Sequence, residues 1–339
     1  MKSKMFSAWL KFLPILLLLT NILGCMPRVY PAGTSVTTAQ LLDNFFVTSD
    51  GSLLPLKIWQ PQAQKIQAVI IALHGFNDYS EFFEQAGSYF SQHKIISYAY
   101  DQRGFGGSSH RGLWAGIDTY IADLNSFIQL IKIKHPDIPI YLLGESMGGA
   151  VVISTMAQAC QFKVDGIILT APAVWARETM PWYQNVVLAT MSHTVPWMTL
   201  TGESVEIMPS DNIEVLRALA QDPLVIKETR IETIYGLVNL MDQAFNSAEC
   251  LSANSFLLYG EKDQVIPKQA TYLFLNNLKQ AKPDQYTLAI YQNGYHMLLR
   301  DLQAAIVWQD IDVWIHSLSS PLPSGADIRA QQILDNEEY

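Results

Sequence analysis

Ser146 stands in Gly144-Glu145-Ser146-Met147-Gly148-Gly149, directly after the apolar run Ile140 to Leu143 and directly before Ala150-Val151-Val152-Ile153. A G-x-S-x-G segment between a strand and a helix forces a sharp turn, holds the serine in a strained backbone conformation and thrusts its hydroxyl into the open. The glycines remove Cβ atoms that would collide with neighbouring backbone. The first N–H groups of the following helix point at the same place and favour a developing negative charge. This is the placement of a nucleophile; the bland alternative is an ordinary glycine-rich strand-to-helix turn.

A serine hydroxyl needs a base, and the base needs a group that holds its tautomer and stabilises its positive charge. Of seven histidines, His93, His110, His135 and His316 lie in or beside expected surface helices or loops, and His193 lies in a helical insertion. His296, in Asn293-Gly294-Tyr295-His296-Met297, follows the last apolar strand, where strand C-termini gather and α/β sites form. It is the candidate base. Asp263, in Gly260-Glu261-Lys262-Asp263-Gln264-Val265-Ile266-Pro267, follows the preceding strand at the same edge and is the candidate acid, with Glu261 its nearest rival. His74-Gly75-Phe76 ends an earlier strand, so the Phe76 N–H can join the Met147 N–H as an oxyanion donor. His74 itself reads as a loop brace. Asp101 to Ser108 lacks the spacing or the lysine of a phosphate cradle and reads as a structural turn.

These residues require a scaffold that brings distant strand ends together. Phe45–Thr48 and Leu53–Trp59 flank a Ser-Asp-Gly turn and read as a hairpin. Beyond them, short apolar runs at 68–73, 95–100, 138–143, 164–169, 255–259 and 286–291 lack polar alternation, as parallel strands covered on both faces do. Helical stretches at 80–93, 119–134, 147–159, 267–278 and 304–318 separate them, which predicts an α/β fold with right-handed crossovers. Between Pro172 and Ala253 no strand is evident. Asp211 with Glu214 resembles a capping box, and Ile231, Ile234, Leu237, Met241 and Phe245 share one helical stripe, so this interval reads as an inserted helical cap. Its first part concentrates Trp175, Trp182, Trp197 and Met180, which either pack the cap's own core or form an acyl-chain groove or lipid-facing surface.

Taken in order, HGFNDYS, DQRGFGGSS, GESMGG, GEKDQVIP and NGYHMLLRD resemble the monoglyceride lipase and lysophospholipase group of α/β-hydrolases, over about residues 45 to 318. Asp222-Pro223-Leu224 in the cap is similar to a segment of that family too. The resemblance implies the α/β-hydrolase fold: a mostly parallel central sheet flanked by helices, with a mobile helical cap. It also implies a serine esterase of single-chain lipids, with Ser146, Asp263, His296 and the N–H groups of Phe76 and Met147 in the functional positions, and no metal or organic cofactor. Phe76 stands where the family often has a small residue, and Asn77-Asp78-Tyr79 where it often has Gly-Glu-His. Similar folds also resemble serine aminopeptidases and acyltransferases; a peptidase needs acidic groups for a substrate amine, and the cap holds Glu178, Glu203 and Glu206. A non-catalytic envelope lipoprotein, using the cap as a binding surface, is a third reading.

The chain has 339 residues, of which 49% are hydrophobic and 16% charged, so it can bury a large core. Residues 1–24 read as a signal peptide: Met1 to Lys11 is cationic, Phe12 to Leu23 is apolar, and Gly24 precedes Cys25. A retained membrane span would bury Lys11, at about 2.5–3.5 kcal/mol, and 12 residues without it are too few to cross. Ile22-Leu23-Gly24-Cys25 resembles a lipobox, which predicts export and a lipid anchor at Cys25 in a bacterial cell envelope, with simple secretion as the alternative. The whole chain carries a net charge of −9, and loss of Lys2, Lys4 and Lys11 with the leader deepens it to −12. So acidic a body is repelled by nucleic acid and by anionic lipid headgroups.

The expected organisation is a tether over 25–44, a first core part over 45–172, the cap over 173–253, a second core part over 254–318 and a loose tail over 319–339. Cys160 and Cys250 fall just before strands at one rim, where either a disulfide or two separate buried thiols is compatible with the fold.

Overall fold

The computed structural model describes residues 26–62, 65–158, 164–202, 207–251, 254–281 and 286–336. Residues 1–25, where the sequence predicts a signal peptide and a lipid anchor at Cys25, lie outside them, as do Cys160, Glu203 and Glu206. Along the chain come β1 (Gln40–Leu42), β2 (Phe45–Val47), β3 (Leu53–Trp59), β4 (Ala68–Leu73), α1 (Glu84–Gln92), β5 (Ile95–Tyr100), α2 (Ile117–Lys134), β6 (Ile140–Glu145), α3 (Met147–Gln158) and β7 (Gly166–Thr170). The insertion follows: α4 (Trp182–Thr194), β8 (Thr199–Thr201), α5 (Ile213–Gln221), β9 (Glu228–Arg230) and α6 (Ile231–Asn246). The chain then returns through β10 (Ser255–Gly260), α7 (Lys268–Ala281), β11 (Tyr286–Tyr291), α8 (Ala304–His316) and α9 (Ala326–Asn336).

Nine strands form one sheet in the order β1-β2-β3-β5-β4-β6-β7-β10-β11. β5, β4, β6, β7, β10 and β11 are parallel, and the hairpin strands are antiparallel. Period-2 alternation splits the parallel strands between two cores: in β4, Val69, Ile71 and Leu73 pack on one face and Ala68, Ile70 and Ala72 on the other. Register aligns the strand ends, with Leu73 opposite Gly144, Glu145 opposite Thr170 and Gly260 opposite Tyr291. Every loop named above as chemically competent therefore leaves the sheet at one edge. The Asp101–Ser108 turn is structural: Arg103 joins Asp50 at 2.8 Å and Asp123 at 2.6 Å, pinning the hairpin to α2.

Several expectations are corrected. The tether is laid against the body: Arg28 N–H donates to Glu232 Oε2, Tyr30 N–H to the Trp114 carbonyl and Ala32 N–H to Thr119 Oγ1, and Gln40–Leu42 adds β1 to the sheet. The tail is not loose. Leu322, Ala326 and Ala330 are buried, a four-residue spacing that gives the polar segment one narrow apolar stripe. The cap contains a two-stranded ribbon, β8 against β9, too short to show as periodicity. Asn212, not Asp211, caps α5, accepting from Val215 N–H, while Asp211 accepts from Leu302 N–H. His135 is buried and bonds Tyr98 Oη at 2.7 Å, because the tyrosine on β5 reaches the end of α2. Cys250 is free and exposed. Among the described residues no helix is long and apolar enough to cross a membrane.

Candidate active site

Ser146 lies between the end of β6 and the start of α3 with φ at +52°, the left-handed region that a side-chain-bearing residue rarely adopts. Its N–H donates to the Thr170 carbonyl at 3.0 Å, and its own carbonyl accepts from Ala150 and Ala173. Three backbone hydrogen bonds thus hold the strained residue in place. A Cβ on Gly144 would overlap the backbone of Gly148, and one on Gly148 would overlap the carbonyl oxygen of Leu73, so the elbow and the end of β4 touch through backbone alone. Gly148→Ala is expected to lower stability by about 1–3 kcal/mol, read as a fall in the urea midpoint.

Asp263 Oδ1 accepts from the N–H groups of Val265 and Ile266 at 2.7 and 3.0 Å, which locks its rotation, and Oδ2 lies 2.9 Å from His296 Nδ1. A carboxylate only accepts, so Nδ1 carries the proton and Nε2 is left with its lone pair. Burial pushes the His296 pKa down, but the Asp263 carboxylate outweighs it, and the imidazole ends above the usual histidine value. Glu145 adds to the rise and Arg300 opposes it. Glu261 turns away and pairs with Arg329 on α9 at 2.6 Å, which leaves Asp263 as the acid in contact with His296. Ser146 and His296 line one cavity.

His74 braces the neighbouring loop. Its Nε2 accepts from Gln102 N–H at 2.9 Å, so Nδ1 donates to the Gly75 carbonyl at 2.8 Å, and burial keeps the ring's pKa low and the ring neutral. The braced loop abuts the elbow: a Cβ on Gly75 would sit 3.4 Å from Ser146 Cβ. Phe76 lines the cavity beside Ser146. Met147 opens α3, so its N–H belongs to the first turn, whose donors have no partner within the helix.

The cavity measures about 640 Å³. Its walls are apolar, with Trp175, Met180, Leu188, Leu237, Val238 and Met241 supplied by the cap. Trp175 and Met180 fall where the sequence placed them, whereas Trp182 and Trp197 are 76% and 56% exposed and do not line the cavity. For Trp182 the face of α4 is the reason: Gln184 and Leu188 line the cavity, while Trp182, Tyr183, Val186 and Val187 are exposed. Among the described residues no group of three or more His, Cys, Asp or Glu side chains is placed to hold a metal ion.

The family model described as serine aminopeptidase, S33 matches residues 64–303. The chain belongs to the S33 family. It is 25% identical over 275 residues to human monoglyceride lipase, covering 79% of this chain and 88% of that one. It is 23% identical over 280 residues to the monoacylglycerol lipase of Mycolicibacterium smegmatis, covering 81% and 97%. In fold it is similar to a soluble variant of monoglyceride lipase from Saccharomyces cerevisiae, solved with a substrate analogue: TM-score 0.68, 19% identity, 86% and 100% coverage.

Two features of this S33 chain escape sequence reasoning. Arg300 forms a buried bridge to Asp78 and Glu145, both in the cavity wall. Its trace in the sequence is a charge that closes the short apolar run Met297-Leu298-Leu299 after His296. Second, the cap segment after Ile207 is stitched to the base and acid loops. Met297 N–H donates to the Pro209 carbonyl, Ser210 Oγ to Asp301 Oδ1 at 2.6 Å, and Met208 N–H to Gln264 Oε1. Burial lifts Asp301 to about 6. Of the cap acids considered for holding an amine, Glu178 is exposed, and Glu203 and Glu206 lie outside the described residues.

Proposed function

We propose that this chain is a serine carboxylic-ester hydrolase acting on single-chain lipids, monoacylglycerols foremost. The observation that carries the reading is the pairing of Asp263 with His296 in the same apolar cavity as Ser146. Ser146 Oγ attacks the ester carbonyl while His296 Nε2 takes its proton. The N–H groups of Phe76 and Met147 receive the negative charge on the carbonyl oxygen, each donor worth about 10²–10³ in rate. His296 returns the proton to the departing alcohol; water then enters, is deprotonated by His296 and releases the fatty acid from Ser146. The acyl chain occupies the space between α4 and α6. The names of the lipase relatives and the apolar walls favour an ester of a lipid over an aminoacyl amide, since the acids in the wall are already held by Arg300.

The test is turnover of 1-monoacylglycerol, lysophospholipid and aminoacyl-amide probes side by side, with fluorophosphonate labelling of Ser146. Monoacylglycerol is expected to be the best substrate, and a protein that cleaves only the amide overturns the reading. Leu237→Trp fills the cavity and is expected to lower kcat/KM for a long-chain monoacylglycerol at least about tenfold more than for a short, soluble ester.

The location belongs to the same proposal: export and acylation at Cys25, three residues before Arg28, whose N–H donates to Glu232 of the cap. The docked course of residues 28–36 and the outward aromatic stripe of α4 are compatible with work at a lipid surface. Cys25→Ser is expected to move the protein from the membrane fraction to the soluble fraction on cell fractionation; unchanged fractionation overturns the anchor.

A further inference from the structure

From the histidine loop Arg300 reaches the oxyanion loop and the nucleophile elbow, yet forms no bond to Ser146, His296 or Asp263 among the described contacts. It lies four residues after His296 and is only 6% exposed. Its Nη1 is 2.8 Å from Asp78 Oδ2, two residues beyond Phe76. Its Nη2 donates at 2.7 Å to Oε1 of Glu145, the residue just before Ser146. Its backbone carbonyl accepts from Asn212 Nδ2 of the cap at 2.9 Å. Among the described residues Arg300 Nε and Glu145 Oε2 are buried without a hydrogen-bond partner, so these charges are kept in the interior at a cost in stability.

We propose that Arg300 is a positioning residue of the ester hydrolysis: its guanidinium bridges Asp78 and Glu145 and so holds the oxyanion loop, the nucleophile elbow and the histidine loop in one relative placement. The inference rests on the serine-hydrolase reading. A planar guanidinium presents donors at fixed separation, so the distance between the two carboxylates is set by covalent geometry rather than by two flexible contacts. Misplacement by about 1 Å at a reacting centre lowers rate by about 100-fold. The charged groups facing His296 are Asp263 from the loop after β10, Glu145 from the end of β6 and Arg300 from its own loop; Asp78 is reached through Arg300, and Asp301 follows it. Arg300 therefore also balances the two anions that its bridge draws together.

The experiment uses the full chain with Arg300→Met, Arg300→Lys and Glu145→Gln, alongside Ser146→Ala. Measured are kcat and KM on a medium-chain 1-monoacylglycerol, the fluorophosphonate labelling rate, thermal unfolding, and the pH profile of kcat/KM. Arg300→Met is expected to lower kcat and the labelling rate together by about 100-fold, with KM held within roughly threefold. Arg300→Lys keeps the charge without the fork and is expected to lie about tenfold below the natural protein, well above Arg300→Met. Glu145→Gln keeps an acceptor for Arg300 but removes an anion near His296, so the acid limb of its pH profile is expected at lower pH. A folded Arg300→Met with unchanged kcat and labelling overturns the proposal. If Arg300→Met fails to fold, natural kcat in Arg300→Lys together with an unmoved acid limb in Glu145→Gln overturns it. Labelling that persists in Ser146→Ala defeats the hydrolase reading itself; labelling lost there but intact in Arg300→Met defeats only the bridge.

Discussion

Ser146→Ala is expected to lower kcat on monoacylglycerol by about 10⁶, the scale on which removal of the nucleophile acts in serine hydrolases. A residual rate about 10³-fold above water remains, because the oxyanion donors and the cavity survive the change. The substitution removes one oxygen and leaves the backbone problem untouched: alanine at φ +52° is as strained as serine, and the bonds to Thr170, Ala150 and Ala173 use main-chain atoms only. The melting temperature is therefore expected to stay within a few degrees by the usual conversion. Fatty-acid release and thermal unfolding measured together separate loss of chemistry from loss of fold. Activity above one hundredth of the natural level, with folding intact, sinks the mechanism.

Asp263→Asn is expected to lower kcat by about 10⁴, since an amide can present a donor where His296 Nδ1–H needs an acceptor and so favours the wrong tautomer. The pH profile carries a second signature. His296 must be neutral to take the proton from Ser146, and Asp263 holds its pKa above the usual value against the opposing effect of burial. The acid limb of kcat/KM in the natural protein is therefore expected above pH 6.5, and in Asp263→Asn below it, because burial and Arg300 are then opposed by Glu145 alone. Stability follows the same linkage: the His296–Asp263 pair contributes fully below the unfolded histidine pKa, and the contribution fades as pH rises through the higher folded value. Glu261→Gln is the control. It loses only a partly exposed pair with Arg329 and is expected to leave kcat unchanged.

The site was legible to an unusual degree because its parts announce themselves locally. G-x-S-x-G between an apolar strand and a helix specifies an elbow through sterics within six residues. In a parallel sheet, loops after successive strands leave at one edge, so the order Ser146, Asp263, His296 already implied convergence. Asp263 and Glu261 were separable only in part by position; the contact of Asp263 with His296 and of Glu261 with Arg329 separates them in space.

What the sequence determined by itself was the alternation of strands and helices, the position of the cap and the chain order of the reacting groups. These depend on periodicity and on short-range steric rules, which neighbouring residues satisfy among themselves. Only the tertiary structure decided which way surfaces face. It turned Trp175 into the cavity and Trp182 out, buried His135 against Tyr98, docked the segment before β1 and the helix α9, and drew Asp78, Glu145 and Arg300 together from two loops and the end of β6. Those outcomes follow from complementarity between parts of the chain separated by tens to hundreds of residues, and no local pattern records which partner a half-apolar helix or a lone charge will meet.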